Sequence, residues 1–167
     1  MKVSIITVTY NCKSVLNDCL DSVAAQSYGN IQHIVIDGAS NDGTLSLLNS
    51  KRNNLAVVVS EPDDGIYDAM NKGINLAKGD IVGFLNSDDF YINDQVISNV
   101  EKIFTDDPSL EACYADLIYV DRKNTSKTIR YFKSREFVSG LFSRGWCPPH
   151  PTFFVRRSVY EKFGLFN

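Results

Sequence analysis

Apolar positions along this chain alternate between two rhythms. VSIITVT (3–9), IQHIVID (31–37) and LAVVVS (55–60) are short, nearly unbroken runs rich in β-branched residues. Such runs predict strands buried on both faces, and GDIVGFLN (79–86) makes a fourth. Between them the apolar residues recur three and four apart. Val15, Leu16, Cys19, Leu20, Val23 and Ala24 predict an amphipathic helix over 13–26, and Ala69, Met70, Gly73, Ile74 and Ala77 predict one running from Ile66. The turn GASNDGT leads into a third helix over 43–52 with Asp42 as its cap. Val96, Ile97, Val100, Ile103 and Phe104 form the inner face of a fourth, capped by Asn93. Strand then helix, four times over, predicts an α/β fold: a mostly parallel sheet with helices on both faces.

The later part of the chain is less regular. CYADLIYVD (113–121) and KTIRYFK (127–133) predict an antiparallel pair around the turn RKNTS. EFVSGLF predicts a short helix, GWCPPHP an irregular loop, TFFVRR a strand, and SVYEKFG a helix ending on Gly164. His150 stands between Pro149 and Pro151, which predicts extended backbone there. No linker interrupts the pattern, so residues 1–167 read as a single domain, long enough to bury a real core.

Charge narrows the classes of function. The net charge is −3 with no block of Lys or Arg, which argues against a nucleic-acid partner. No apolar run approaches the ~18 residues of a membrane span, and Met1-Lys2 leads directly into a strand with no signal peptide. Cys12, Cys19, Cys113 and Cys147 are too scattered for a metal knuckle or redox pair, and are expected to be reduced thiols in the cytoplasm.

The polar residues concentrate where the strands end: TYN, DGASND, EPDDG and NSDD follow strands one to four. Ligands of parallel sheets bind beyond the carboxyl ends of the strands, so these clusters predict a site. NSDD carries the strongest signal. A plain turn needs one Asn or Asp, whereas Asn86, Ser87, Asp88 and Asp89 crowd together. One or two carboxylates beside phosphate oxygens suit a hard divalent cation. The chain has neither a G-x-G-x-x-G nor a P-loop, so phosphate charge would have to be managed by such a cation on Asp89. DGASNDGT fails the EF-hand pattern, since Ala39 occupies a ligand position and Asp42 the required glycine. Asp37 either caps its turn or accepts from a heterocycle N–H. In EPDDGIYDAMNKG a helix N-terminus faces the same side, and Asp68 and Lys72 lie off the apolar face, toward solvent or ligand. His33 reads as structural; His150 serves either ligand contact or loop packing.

SIITVTYN, IVIDGASNDGT and DGIYDAMNKGINLAKGDIVGFLNSDD, in that order, resemble the N-terminal half of a family 2 glycosyltransferase, and the likeness continues more loosely to HPTFFVRRSVYEKFGLFN. The resemblance implies a GT-A fold with a nucleotide-sugar-binding half over 1–90 and a partial acceptor half over 91–167. It implies that Thr9, Tyr10 and Asn11 pack on the base and that Asp37 binds it, commonly as uracil, with Asp68 also on the nucleotide side. Asp88 then contacts the ribose or the metal, and Asp89 holds Mg2+ or Mn2+ against the diphosphate. Asn86 departs from a strict D-x-D. His150 is expected near the acceptor or diphosphate. The implied reaction is inverting transfer from a nucleotide sugar, expected to be a UDP-sugar, to a saccharide or lipid-linked acceptor in polysaccharide biosynthesis, in the cytoplasm or peripherally at the inner membrane face. Family members continue past G-L-F-[DN] to an acidic motif that provides the general base. The base is therefore expected beyond Asn167, with Asp116 the candidate inside the chain. Two other readings stand beside this one: a nucleotide-sugar-binding module without catalysis, and a nucleotidyltransferase on a related sheet.

Overall fold

A computed structural model describes every residue from Met1 to Asn167. Four strands, β1 (Val3–Thr9), β2 (Ile31–Asp37), β3 (Val57–Ser60) and β4 (Ile81–Phe84), alternate with α1 (Lys13–Ala24), α2 (Thr44–Ser50), α3 (Ile66–Leu76) and α4 (Val96–Asp106). All four strands are parallel. β1 pairs β2 from Val3↔Ile31 to Thr9↔Asp37, and pairs β4 from Val3↔Ile81 to Ile6↔Phe84. β5 (Ala112–Cys113) and β8 (Phe154–Arg156) complete a six-stranded sheet in the order β3-β2-β1-β4-β8-β5, with β8 antiparallel to both neighbours. The chain thus winds outward from β1 to β3 and then returns to the other side of β1 for β4. That reversal opens a crevice at the carboxyl ends of β1 and β4.

Burial on both faces explains the continuous apolar runs of β1, β2 and β4, whereas β3, at the edge of the sheet, is only half-buried. Val3 and Ile5 of β1 and Val35 of β2 pack with Leu16, Cys19 and Leu20 of α1, Leu48 of α2 and Ile97, Val100 and Phe104 of α4. Ile6, Val8, Ile34 and Ile36 point the opposite way, onto Ala69, Met70 and Ile74 of α3. Two glycines allow these layers to close. A Cβ on Gly73 would lie 2.4 Å from Ile6, and one on Gly83 2.4 Å from the ring of Phe154. Neither distance is tolerable, so α3 and β8 sit where they do because those positions carry no side chain.

Several boundaries and two elements differ from the sequence expectation. α1 stops at Ala24 and α2 spans only Thr44–Ser50, followed by a single 3-10 turn at Arg52–Asn54. The N-cap of α4 is Gln95; Asn93 instead accepts the Gln95 N–H at 2.9 Å, tightening the turn before the helix. The N-cap of α2 is Gly43 rather than Asp42, whose carboxylate accepts from the Thr44 N–H at 2.9 Å and reaches across to the Lys13 N–H at 3.0 Å. The run 113–121 is broken: β5 joins the main sheet, while β6 (Leu117–Asp121) forms a separate ribbon with β7 (Asn124–Phe132). The ribbon's turn is tighter than the five residues of RKNTS, because the Asp121 carboxylate accepts from the N–H groups of Lys123 and Asn124. EFVSGLF forms no helix. Gly140 adopts φ +85°, a left-handed conformation that stops one, and a single 3-10 turn follows at Phe142–Arg144. His150 does not sit in extended backbone but begins a 3-10 turn, His150–Thr152. Pro149 takes the extended conformation ahead of it, and Pro151 fits a first turn because it has no N–H to leave unpaired. α5 (Arg157–Phe163) ends at Gly164, whose φ is +93°.

No helix is long and apolar enough to cross a membrane, and all four cysteines are free thiols.

Candidate functional site

The crevice at the switch point is a cleft of about 310 Å3. Val8, Thr9 and Tyr10 line it from the end of β1, Asn86, Ser87 and Asp88 from the end of β4, and Asp63, Gly65, Ile66 and Ala69 from the start of α3. Three of the four strand-end clusters thus converge on one space. Tyr10 keeps 63% of its surface exposed and presents a ring at the mouth. The hydroxyl of Thr9, a residue only 6% exposed, and the carbonyl oxygen of the Asn86 side chain are buried without a hydrogen-bond partner. Buried polar atoms are nearly always satisfied, so two orphans in one cleft mark a place for a polar ligand. The first turn of α3 adds unpaired N–H groups on the same side.

The loops that frame the cleft are tied to each other. Asn11 and Ala39 both adopt positive φ, +51° and +59°, unusual for residues other than glycine and therefore held by their surroundings. The Asn11 N–H donates to Ser40 Oγ at 2.8 Å, and the Asn41 N–H donates to Asn11 Oδ1 at 2.9 Å. Asn11 is therefore a strut between the β1 and β2 loops and does not line the cleft.

Asp37 holds that framework from beneath. Its carboxylate is fully buried and accepts from the Ser40 N–H at 3.1 Å, the Ser60 hydroxyl at 2.6 Å and the Ser40 hydroxyl. The expected contact with a base finds no support in this placement: the carboxyl is sealed from the cleft and engaged on both oxygens. Asp68 is displaced as well. It accepts from the Asp64 N–H at 3.2 Å and pairs with Lys72 at 3.2 Å on the exposed side of α3, outside the cleft. These bonds hold its carboxyl below the usual range.

Asp88 faces the cleft and Asp89 lies beside it in the same turn, which the Asp89 N–H closes onto the Asn86 carbonyl at 3.0 Å. Burial, and then the charge of Asp88, push the Asp89 carboxyl up to about 6. A carboxylate held at that electrostatic disadvantage is one that a cation would relieve. No group of three or more His, Cys, Asp or Glu side chains is gathered to cage a metal. Asp88 and Asp89 are the carboxylates that could hold an ion there, one completed by a ligand's phosphates rather than by the protein alone.

His150 reaches the carboxyl end of β4, where its ring lies 5.8 Å from that of Phe84, centroid to centroid. Desolvation lowers its pKa although part of the residue stays exposed. It does not line the cleft. Asp116 lies between β5 and β6 rather than within a strand, and lines a different cavity of about 520 Å3 with Phe90, Tyr91, Ile103 and Tyr131. The Tyr131 hydroxyl and the Ser134 N–H, the latter at 2.8 Å, keep its carboxyl below the usual range. That makes it a weak proton acceptor, and its cavity is not the cleft. The carboxylates that follow Asp121 are Glu136, which lies in no helix or strand, and Glu161, which pairs with Arg157 on α5.

The sequence reading missed Asp63, Gly65, Ile66 and Ala69 as lining residues. The turn EPDDG marked the region, but which of its carboxylates turns inward depends on how α3 lies against the sheet.

The sequence model described as "Glycosyl transferase family 2" matches residues 4–164. A PGL/p-HBAD biosynthesis glycosyltransferase of Mycobacterium bovis (strain BCG / Pasteur 1173P2) is 34% identical over 168 residues, covering 98% of this chain and 62% of the relative. A UDP-Glc:alpha-D-GlcNAc-diphosphoundecaprenol beta-1,3-glucosyltransferase of Escherichia coli is 32% identical over 61% of this chain and 43% of its own length. This chain thus spans less than two thirds of the curated relatives it matches. Among solved structures, S. aureus TarS in complex with UDP-GlcNAc superposes with a TM-score of 0.73 at 21% identity, over 97% of this chain and 47% of that one. The mannosyltransferase PcManGT from Pyrobaculum calidifontis, in complex with GDP-Man and Mn2+, superposes with a TM-score of 0.75 at 22% identity, over 99% and 47%. At such identities the structures speak for the fold.

Proposed function

The chain belongs to glycosyl transferase family 2 and has the GT-A fold, and from that premise we propose that it binds a nucleotide sugar, a UDP-sugar in the first instance, and transfers the sugar with inversion to a saccharide or lipid-linked acceptor in glycan assembly. The observation that carries this reading is the convergence of Thr9, Tyr10, Asp63, Asn86 and Asp88 on one cleft at the switch point, beside a destabilised Asp89 carboxylate.

Each group has a task in this reading. The exposed ring of Tyr10 offers a face for a base. Asp88 faces the ribose and diphosphate side. The first N–H groups of α3 point toward negative charge. A Mg2+ or Mn2+ ion on Asp89 and Asp88 would neutralise the diphosphate as it leaves. Inversion by a single displacement needs a carboxylate to take the acceptor's proton. Asp116, held ionised in a separate cavity, is not placed for that task.

That same placement favours the second reading, in which these 167 residues hold a nucleotide sugar without transferring it. Incubation with UDP-sugars, Mn2+ and an acceptor panel separates the readings by product. Transferred sugar with inverted anomeric configuration supports the enzyme, and donor binding without product supports the module. Released pyrophosphate would mean a nucleotidyltransferase. Work at the inner membrane face would place the acceptor on a lipid, and flotation of the protein with vesicles tests that placement.

A further inference from the structure

We propose that Asp63 selects the nucleobase of the donor, and that it selects a base with a proton on its ring nitrogen beside a carbonyl, uracil or guanine, over cytosine and adenine. The proposal rests on the nucleotide-sugar reading above and assigns a residue within that site. Its starting point is the vacancy in the obvious role: Asp37 is fully buried and bonded on both oxygens, so the acid at the end of β2 cannot face a ligand.

The next residue, Gly38, has no side chain, and the space beside it is already filled. A Cβ built on Gly38 would stand 2.7 Å from Asp63 Oδ2 and 3.4 Å from the Tyr10 ring. The Asp63 carboxylate, arriving from the loop after β3, therefore lies over the backbone of the β2 loop and beside the Tyr10 ring. It lines the cleft together with Thr9 and Tyr10. Its two oxygens have different duties. Oδ1 accepts the Gly65 N–H at 3.0 Å and fixes the turn into α3, while no group of the protein donates to Oδ2.

A carboxylate oxygen only accepts. Placed at the edge of a base lying on Tyr10, Oδ2 can take the imide proton of uracil or the ring N–H of guanine. It would face a lone pair at the corresponding ring nitrogen of cytosine or adenine and repel it. A site built to accept a proton rejects a base lacking it more strongly than an apolar pocket rejects a change of shape.

The test is calorimetry with UDP, GDP, CDP and ADP in Mn2+, on the wild type, Asp63→Asn and Asp63→Ser. Asn keeps an oxygen for the Gly65 N–H, and Ser keeps a hydroxyl, so the turn is retained in both. The wild type should bind UDP or GDP at least about tenfold tighter than CDP and ADP. The two arms identify which of the two favoured bases is taken. Asp63→Asn should lower that affinity roughly 10- to 100-fold and shrink the preference over CDP, because its amide can donate to the cytosine ring nitrogen. Asp63→Ser should flatten the preference altogether. Unchanged base preference in both variants, with wild-type binding of UDP or GDP intact, overturns the assignment and leaves the donor reading standing. A wild type that binds no nucleoside diphosphate overturns both.

Discussion

The side-chain amide of Asn71 exchanges two hydrogen bonds with the backbone of Phe166, 95 residues further on: its Nδ2 donates to the Phe166 carbonyl at 2.9 Å, and its Oδ1 accepts the Phe166 N–H at 3.0 Å. The pair fastens the segment after Gly164 to α3. Phe166 then packs against Tyr67, Phe84 and Tyr160, with ring centroids 5.6, 5.7 and 6.1 Å away. Because Phe84 is the last residue of β4, this clasp joins α3, α5 and the strand that delivers Asp88 and Asp89. Asn71→Ala should lower stability by about 1–3 kcal/mol. Hydrogen exchange should show the amides of 164–167 losing protection while those of β1 keep theirs; unchanged protection at Phe166 would mean the ring packing suffices alone.

UDP binding should require a divalent ion, since the cleft offers carboxylates and helix N–H groups rather than a basic cradle. Asp89→Ala should remove most of the difference between binding in Mn2+ and binding in chelator, and Asp89→Asn should retain a fraction of it. Equally tight UDP binding by the wild type in excess chelator would refute this.

Asp37→Ala should destabilise the fold. It deletes a buried acceptor and strands the Ser40 N–H and the Ser60 hydroxyl, each lost bond to a charged group being worth about 1.5–3 kcal/mol. Urea denaturation should show a lower midpoint, with any loss of UDP affinity following from the loosened loops. A variant as stable as the wild type yet at least tenfold weaker for UDP would restore Asp37 to the base.

His33 ties stability to pH. Its ring is buried, its Nε2 lies 3.0 Å from the Thr7 hydroxyl, and burial pushes its pKa down to about 4 from 6.5. The unfolded chain therefore takes up the proton first as pH falls. The stabilisation is fully present above about 6.5 and is lost progressively toward pH 4, amounting to about 3 kcal/mol. Unfolding free energies at pH 7.5 and 4.5 should differ by less in His33→Gln than in the wild type.

Gly83→Ala should disturb the junction of β4 and β8, where the added methyl would meet the Phe154 ring at 2.4 Å. Overpacking of this kind costs about 1–3 kcal/mol. A thermal melt equal to that of the wild type would show that Phe154 swings aside freely.

The alternation of apolar rhythms was enough to place β1 and β2 to the residue and to set four parallel strands between helices, because strands buried on both faces must be apolar throughout and covering helices on one side only. The same logic pointed to the strand ends, where the structure opens a cleft lined by Thr9, Tyr10 and Asp88 with Asp89 beside it. Periodicity failed where elements are short and held by single contacts. The tight turn between β6 and β7, the unformed helix at EFVSGLF and the turn at His150 depend on Asp121, Gly140 and Pro149 acting within three-dimensional surroundings. The carboxylates show the division most clearly. Sequence put Asp37 at a strand end, Asp63 in a turn, Asp68 on a helix and Asp116 inside a strand, but could not say which way each turns. Packing decided that: Ser40 and Ser60 close over Asp37, Lys72 draws Asp68 outward, Tyr131 holds Asp116 in another cavity, and the missing side chain of Gly38 leaves the cleft to Asp63. A carboxylate's role follows from which donors reach it first, and those donors come from segments far apart in the chain.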